Sequence, residues 1–108
     1  MSNFDDFLNS AKSQVIALAK TLGKDCVGAA ISDGHKFLED SKADLEHWTS
    51  QLIHGEINQD DFSFLIQAKK DLAEMKALEH AGLSLVKIEK FRIALLDTLV
   101  KTAIKFIP

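Results

Sequence analysis

The chain has 108 residues, 46% hydrophobic and 27% charged, with a net charge of −3. That size suits one small domain with a single core and little surplus stability, and the balance of residue types is that of ordinary globular proteins, so neither a disordered chain nor a membrane-embedded body is the default expectation. Cys26 is the single cysteine, which excludes an internal disulfide and a cysteine-based metal cage.

Met1-Ser2-Asn3-Phe4-Asp5-Asp6 is acidic and lacks the basic start and apolar run of a secretory signal. No window long enough to cross a bilayer is free of charges, so the expected compartment is the cytoplasm. Pro108 is the one proline, glycine occurs only at 23, 28, 34, 55 and 82, and apolar and polar residues nowhere keep up a strict alternation. A β-rich domain needs more turn residues and that alternation. The expected class is all-α.

Ser2 and Asp5 have capping-box spacing, and Phe4, Phe7, Leu8, Ala11, Val15, Leu18, Leu22, Cys26 and Ala29 follow at three- and four-residue steps. This predicts a first helix over about residues 3–31. The stripe loses phase at Ser32-Asp33-Gly34, and a second helix over about 35–54 carries Phe37, Leu38, Leu45, Trp48 and Leu52. His54-Gly55-Glu56-Ile57 is the strongest stop, and Asn58 is a cap for a third helix over about 58–81, with Asp60 and Asp61 in its first turn. The apolar side of residues 62–75 faces where the polar side of 87–105 faces, so the buried face inverts across Glu79-His80-Ala81-Gly82-Leu83-Ser84. If Gly34 and Gly82 interrupt helices, the fold is an antiparallel bundle of four helices. If they do not, two helices of about 50 residues and about 75 Å each form one hairpin, whose thin core needs further copies of the chain.

The fourth helix, about 84–107, has apolar residues over about half its circumference. At about 1.5–3 kcal/mol per fully buried large side chain, leaving that face wet forfeits more than the whole stability of a typical domain. Other helical surfaces must cover it, in the same chain or in another. Its expected interaction residues are Glu89, Arg92, Ile93, Leu96, Leu99, Val100, Ala103, Ile104, Phe106 and Ile107. Glu89 and Arg92 are three apart, hence adjacent on the helix, and are expected at the rim with their stems on apolar surface or, if buried, as an ion pair that selects a partner.

The charge is uneven. Residues 82–108 hold only Glu89 and Asp97 against Lys87, Lys90, Arg92, Lys101 and Lys105, while the rest of the chain is acidic. Such a tail suits the protein's own acidic helices, an acidic partner or an anionic lipid surface.

No catalytic pattern stands beside this. Asp44, His47 and His54 lie on the outward side of the second helix, and a di-iron bundle needs inward Glu-x-x-His motifs on two helices, so no metal is expected. Cys26 and the serines lack a suitably placed histidine, and the glycines are too scattered for a phosphate loop. Lys69-Lys70 is an isolated basic pair without aromatic neighbours suited to base stacking, so nucleic acid is not an expected partner. The expectation is a non-enzymatic helical protein, with no cofactor or small-molecule substrate, that self-associates through its C-terminal helix. The alternatives are a membrane-surface or membrane-inserting protein using Lys87, Lys90, Lys101 and Lys105 beside that apolar face, and a small adaptor or antagonist of another protein.

Overall fold

Asp5 and Asp6 put negative charge in the first turn of α1 (Asn3–Ala19), at the positive end of its dipole, and Phe4, Phe7, Leu8, Ala11 and Val15 are buried along one face. The computed structural model describes residues 3–70 and 73–106; the capping role expected of Ser2 lies outside them, as do Asp71, Leu72 and Ile107. Helix α1 ends at Ala19 rather than near residue 31. A 3₁₀ turn, Lys20–Leu22, leads into Gly23 at φ +90°, a conformation open to glycine, and the chain turns back into α2 (Val27–Asp40). The reversal has a packing cause: α2 lies antiparallel on α1, so each helix covers the other's apolar stripe, with Lys12 of α1 3.7 Å from Glu39 of α2.

Gly34 does not break a helix. It is buried inside α2, where an added β-carbon would stand 2.5 Å from Cγ1 of Val15. Ala11, Ala19 and Ala30 are also fully buried, and small residues of this kind let two backbones approach closely. The interruption comes instead at the buried Ser41, before α3 (Lys42–Ile53).

Helix α3 ends as expected at Gly55, φ +76°. The Gly55 N–H donates to the Leu52 carbonyl at 3.2 Å and the Glu56 N–H to that of Gln51 at 2.8 Å, which is a Schellman ending. Asn58 then caps α4 (Gln59–Gln67): its side chain accepts from the Asp61 N–H at 2.8 Å while the Asp61 carboxylate accepts from the Asn58 N–H at 3.3 Å.

The expected third helix is two helices. Helix α4 ends at Gln67, and the chain becomes α-helical again as α5 (Lys76–His80). The interruption turns Ala73 and Met75 into the core and frees backbone groups that need partners. Asp33 of α2, only 4% exposed, accepts from the Ala77 N–H at 3.0 Å and the Leu78 N–H at 2.8 Å; Nε of Arg92 donates to the Ala73 carbonyl at 2.9 Å. Gly82, φ +84°, closes α5 with a second Schellman ending, Gly82 N–H to Glu79 at 3.1 Å and Leu83 N–H to Leu78 at 3.2 Å. The side chain of Ser84 caps α6 (Leu85–Ile104), accepting from the Lys87 N–H at 3.3 Å.

The described residues thus form an all-α fold of six helices without strands, measuring 42 × 26 × 19 Å. Those dimensions exclude the rod of about 75 Å helices and replace the four-helix boundaries. Helix α6 packs on α1, α4 and α5.

Gly34→Ala is expected to destabilise the fold by about 1–3 kcal/mol, because branched Val15 has no free rotamer into which to withdraw. Adding Val15→Ala should restore part of the loss, a coupling readable as non-additivity in urea unfolding. Asp33→Ala leaves two backbone donors unpaired and should cost about 2–4 kcal/mol, with Asp33→Asn, which keeps one acceptor, losing less. Thermal and urea denaturation of both variants check this.

Candidate functional site

Helix α6 carries the residues expected to make contacts except Phe106, just past its end, and Ile107, outside the described residues, and its circumference divides into three parts. Ile88, Phe91, Leu95, Leu96, Leu99, Val100, Thr102 and Ala103 are buried by the rest of the chain. Thr102, placed by its chemistry on the polar side, is 2% exposed and donates its hydroxyl to the Thr98 carbonyl at 2.7 Å, so its remaining surface is a methyl group in the core. Leu96, Leu99, Val100 and Ala103 are therefore core residues of the single chain, and a partner could reach them only by displacing α1 or α4. Ile104 and Phe106 are half-buried against the same core, Phe106 meeting Phe7 edge-on at 6.4 Å between ring centres.

The second part is the rim. Glu89 accepts from both Arg92 on its own helix and Lys70 beyond the end of α4. Arg92, with a side chain 20% exposed, donates its Nε–H to the Ala73 carbonyl. Both residues therefore sit at the rim and are ion-paired there, with the partners supplied within the chain. The hydrogen bond from Lys70 holds the Glu89 carboxyl below its ordinary value; partial desolvation opposes this, and the charges of Lys70 and Arg92 add to the lowering.

The third part faces water. Leu85, Val86 and Ile93 are 76%, 67% and 47% exposed. Val86, Lys90, Ile93 and Asp97 succeed one another at three- and four-residue steps and so share one face. Lys101 bridges Asp97 at 3.0 Å. Lys87 and Lys90 are exposed and have no side-chain hydrogen bond or ion pair among the described residues. Beside this strip a groove of about 390 Å³ runs between the C-terminal end of α1 with its 3₁₀ turn and the first half of α6, lined by Leu18, Thr21, Leu22, Lys87, Lys90, Phe91 and Ala94. Nothing in the sequence joins Leu18 and Leu22 to Phe91, because the early reversal at Gly23 is what brings them together.

The histidines do not converge. His47, His54 and His80 are exposed, His35 is half-buried with its Nε2 unpartnered, and no cluster of three metal-ligating side chains occurs among the described residues. Nδ1 of His54 lies 2.8 Å from the Ser50 carbonyl, which can only accept, so that nitrogen carries the proton and closes the last turn of α3. Trp48 is half-buried with Nζ of Lys69 5.5 Å from its ring centre, and Lys69 also bridges Asp44; the pair ties the end of α4 to α3. Phe64 departs from the other phenylalanines in being 73% exposed.

No protein-family model, curated protein or solved structure matches this chain. Among the described residues no helix is long and apolar enough to cross a membrane.

With its folded pKa lowered, Glu89 contributes stability above the ordinary carboxyl value near about 4.3, and that contribution disappears as pH falls through the folded value. Glu89→Gln should therefore be less stable than the parent at neutral pH, with the difference shrinking between about pH 5 and pH 3. Urea midpoints measured across that interval test the sign.

Proposed function

We propose that this protein is a non-enzymatic helical interaction module that self-associates through the outer edge of α6. The observation that carries this reading is the exposed strip Val86, Lys90, Ile93 and Asp97, with Leu85 beside it. Single exposed apolar residues are ordinary, but three large ones on the edge of one helix form a patch of the kind used for protein contacts.

The strip is also self-complementary. A two-fold interface sets each residue against its counterpart's partner. When two copies of α6 lie antiparallel about the midpoint between Ile93 and Ala94, each Lys90 opposes Asp97 of the other copy and each Ile93 meets Ala94. Val86 then lies along the stem of Lys101. The buried residues of the wide face stay inside each chain, so assembly needs no unfolding, and the small contact implies a weak, concentration-dependent dimer.

The alternative with an observation behind it is adsorption to an anionic membrane surface, through Leu85 and Val86 with unpaired Lys87 and Lys90. Sedimentation with anionic vesicles at low salt, in the absence of self-association, would favour it.

Sedimentation velocity over a wide concentration range should show a reversible monomer–dimer equilibrium. Val86→Glu with Ile93→Glu should weaken it at least tenfold. Lys90→Glu and Asp97→Lys should each weaken it through like-charge contacts, and the two together should restore it. A mass that stays monomeric at every concentration sinks the proposal.

A further inference from the structure

The groove between α1 and α6 shares Lys90 and Ala94 with the proposed dimer strip, but its floor and Lys87 are not used by self-association. Its floor is apolar, formed by Leu18, Leu22 and the buried Phe91, and the Thr21 hydroxyl at its edge is already committed to the Leu18 carbonyl at 2.6 Å. Lys87 and Lys90, one turn apart on α6, line its other side, and their ammonium groups have no anionic partner among the described residues. Of the other cations along α6, Lys101 is paired with Asp97 and Arg92 with Glu89, while Lys105 at its C-terminal end lies outside the groove. An apolar channel with two unneutralised cations along one side complements a molecule with an apolar chain and one anionic end.

From this we infer that the groove is a binding site for a single-chain anionic amphiphile, a long-chain carboxylate. Its volume of about 390 Å³ falls at the small end of ligand sites, which span about 300–1,000 Å³. That size accommodates one acyl chain. The chain lies on Leu18, Leu22 and Phe91, and the carboxylate sits between Lys87 and Lys90. No arginine fork is present to hold a planar anion in two-point contact, so the head group is held by charge, and the affinity comes mainly from the chain.

The inference does not rest on self-association. Lys90 belongs to both surfaces, but Leu18, Leu22 and Lys87 lie off the Val86–Asp97 strip, so a protein that stays monomeric can still bind, and a dimer can fail to.

Isothermal titration of the full chain with dodecanoate, below the concentration at which it forms micelles, is expected to show saturable one-to-one binding. Decanoate should bind more weakly by about fourfold for each methylene removed. Dodecyltrimethylammonium, with the same chain and the opposite charge, should not bind. Lys87→Glu, an exposed substitution that leaves the core intact, should weaken dodecanoate at least tenfold, and Leu22→Glu should do the same in a protein whose circular dichroism is unchanged. Absence of saturable dodecanoate binding, equal binding of the cationic chain, undiminished binding by Lys87→Glu, or binding confined to anionic vesicles would each overturn the assignment.

Discussion

The break in the chain between α4 and α5 is held shut by two charged side chains from elsewhere, and the arrangement of the other helices depends on it. Between Gln67 and Lys76 the chain buries Ala73 and Met75 and releases backbone groups that need partners. Asp33, 44 and 45 residues away, takes the first amides of α5; Arg92, 19 residues away, takes the Ala73 carbonyl. A helix as short as α5 has no stability of its own. It exists because α2 supplies a negative charge at its positive end and because Leu78 is buried.

Asp33 and Gly34 work as a pair on two sides of α2. Gly34 lets α1 close on α2 at Val15, and the adjacent Asp33 points to α5, so one turn of helix sets the distance to one neighbour and the position of another. A carboxylate buried this deeply is tolerated only when its oxygens are satisfied, and here both accept from backbone amides. The Lys70–Glu89–Arg92 cluster does similar work near the surface, where solvent weakens each pair and where the geometry of Arg92 toward Ala73 counts for more than its charge.

These constraints determine what α6 can offer outside the chain. Its broad apolar face is consumed by α1, α4 and α5, and Phe106 is drawn onto Phe7. What remains is an edge bearing Leu85, Val86 and Ile93 with Lys90 and Asp97, and a groove edged by Lys87 and Lys90. Both features suit recognition by burial and charge. Among the described residues no group of three metal-ligating side chains occurs, and Cys26 is buried.

By itself the sequence determined the helical class, the ending at Gly55, the cap at Asn58, and the need to cover most of the terminal helix. Each of these follows from residues within a few positions of one another: glycine's access to positive φ, a side-chain oxygen facing the next turn's amide, a periodic apolar stripe. Tertiary structure alone decided the early reversal at Gly23, the uninterrupted passage of α2 through Gly34, the division of the third helix, and which part of α6 stays in water. Asp33-Gly34 reads locally as a break because its neighbours in sequence give neither residue a reason to be helical. Val15 and the amides of Ala77 and Leu78 give that reason, and they are brought to it only when the chain has folded, so no local pattern can record them.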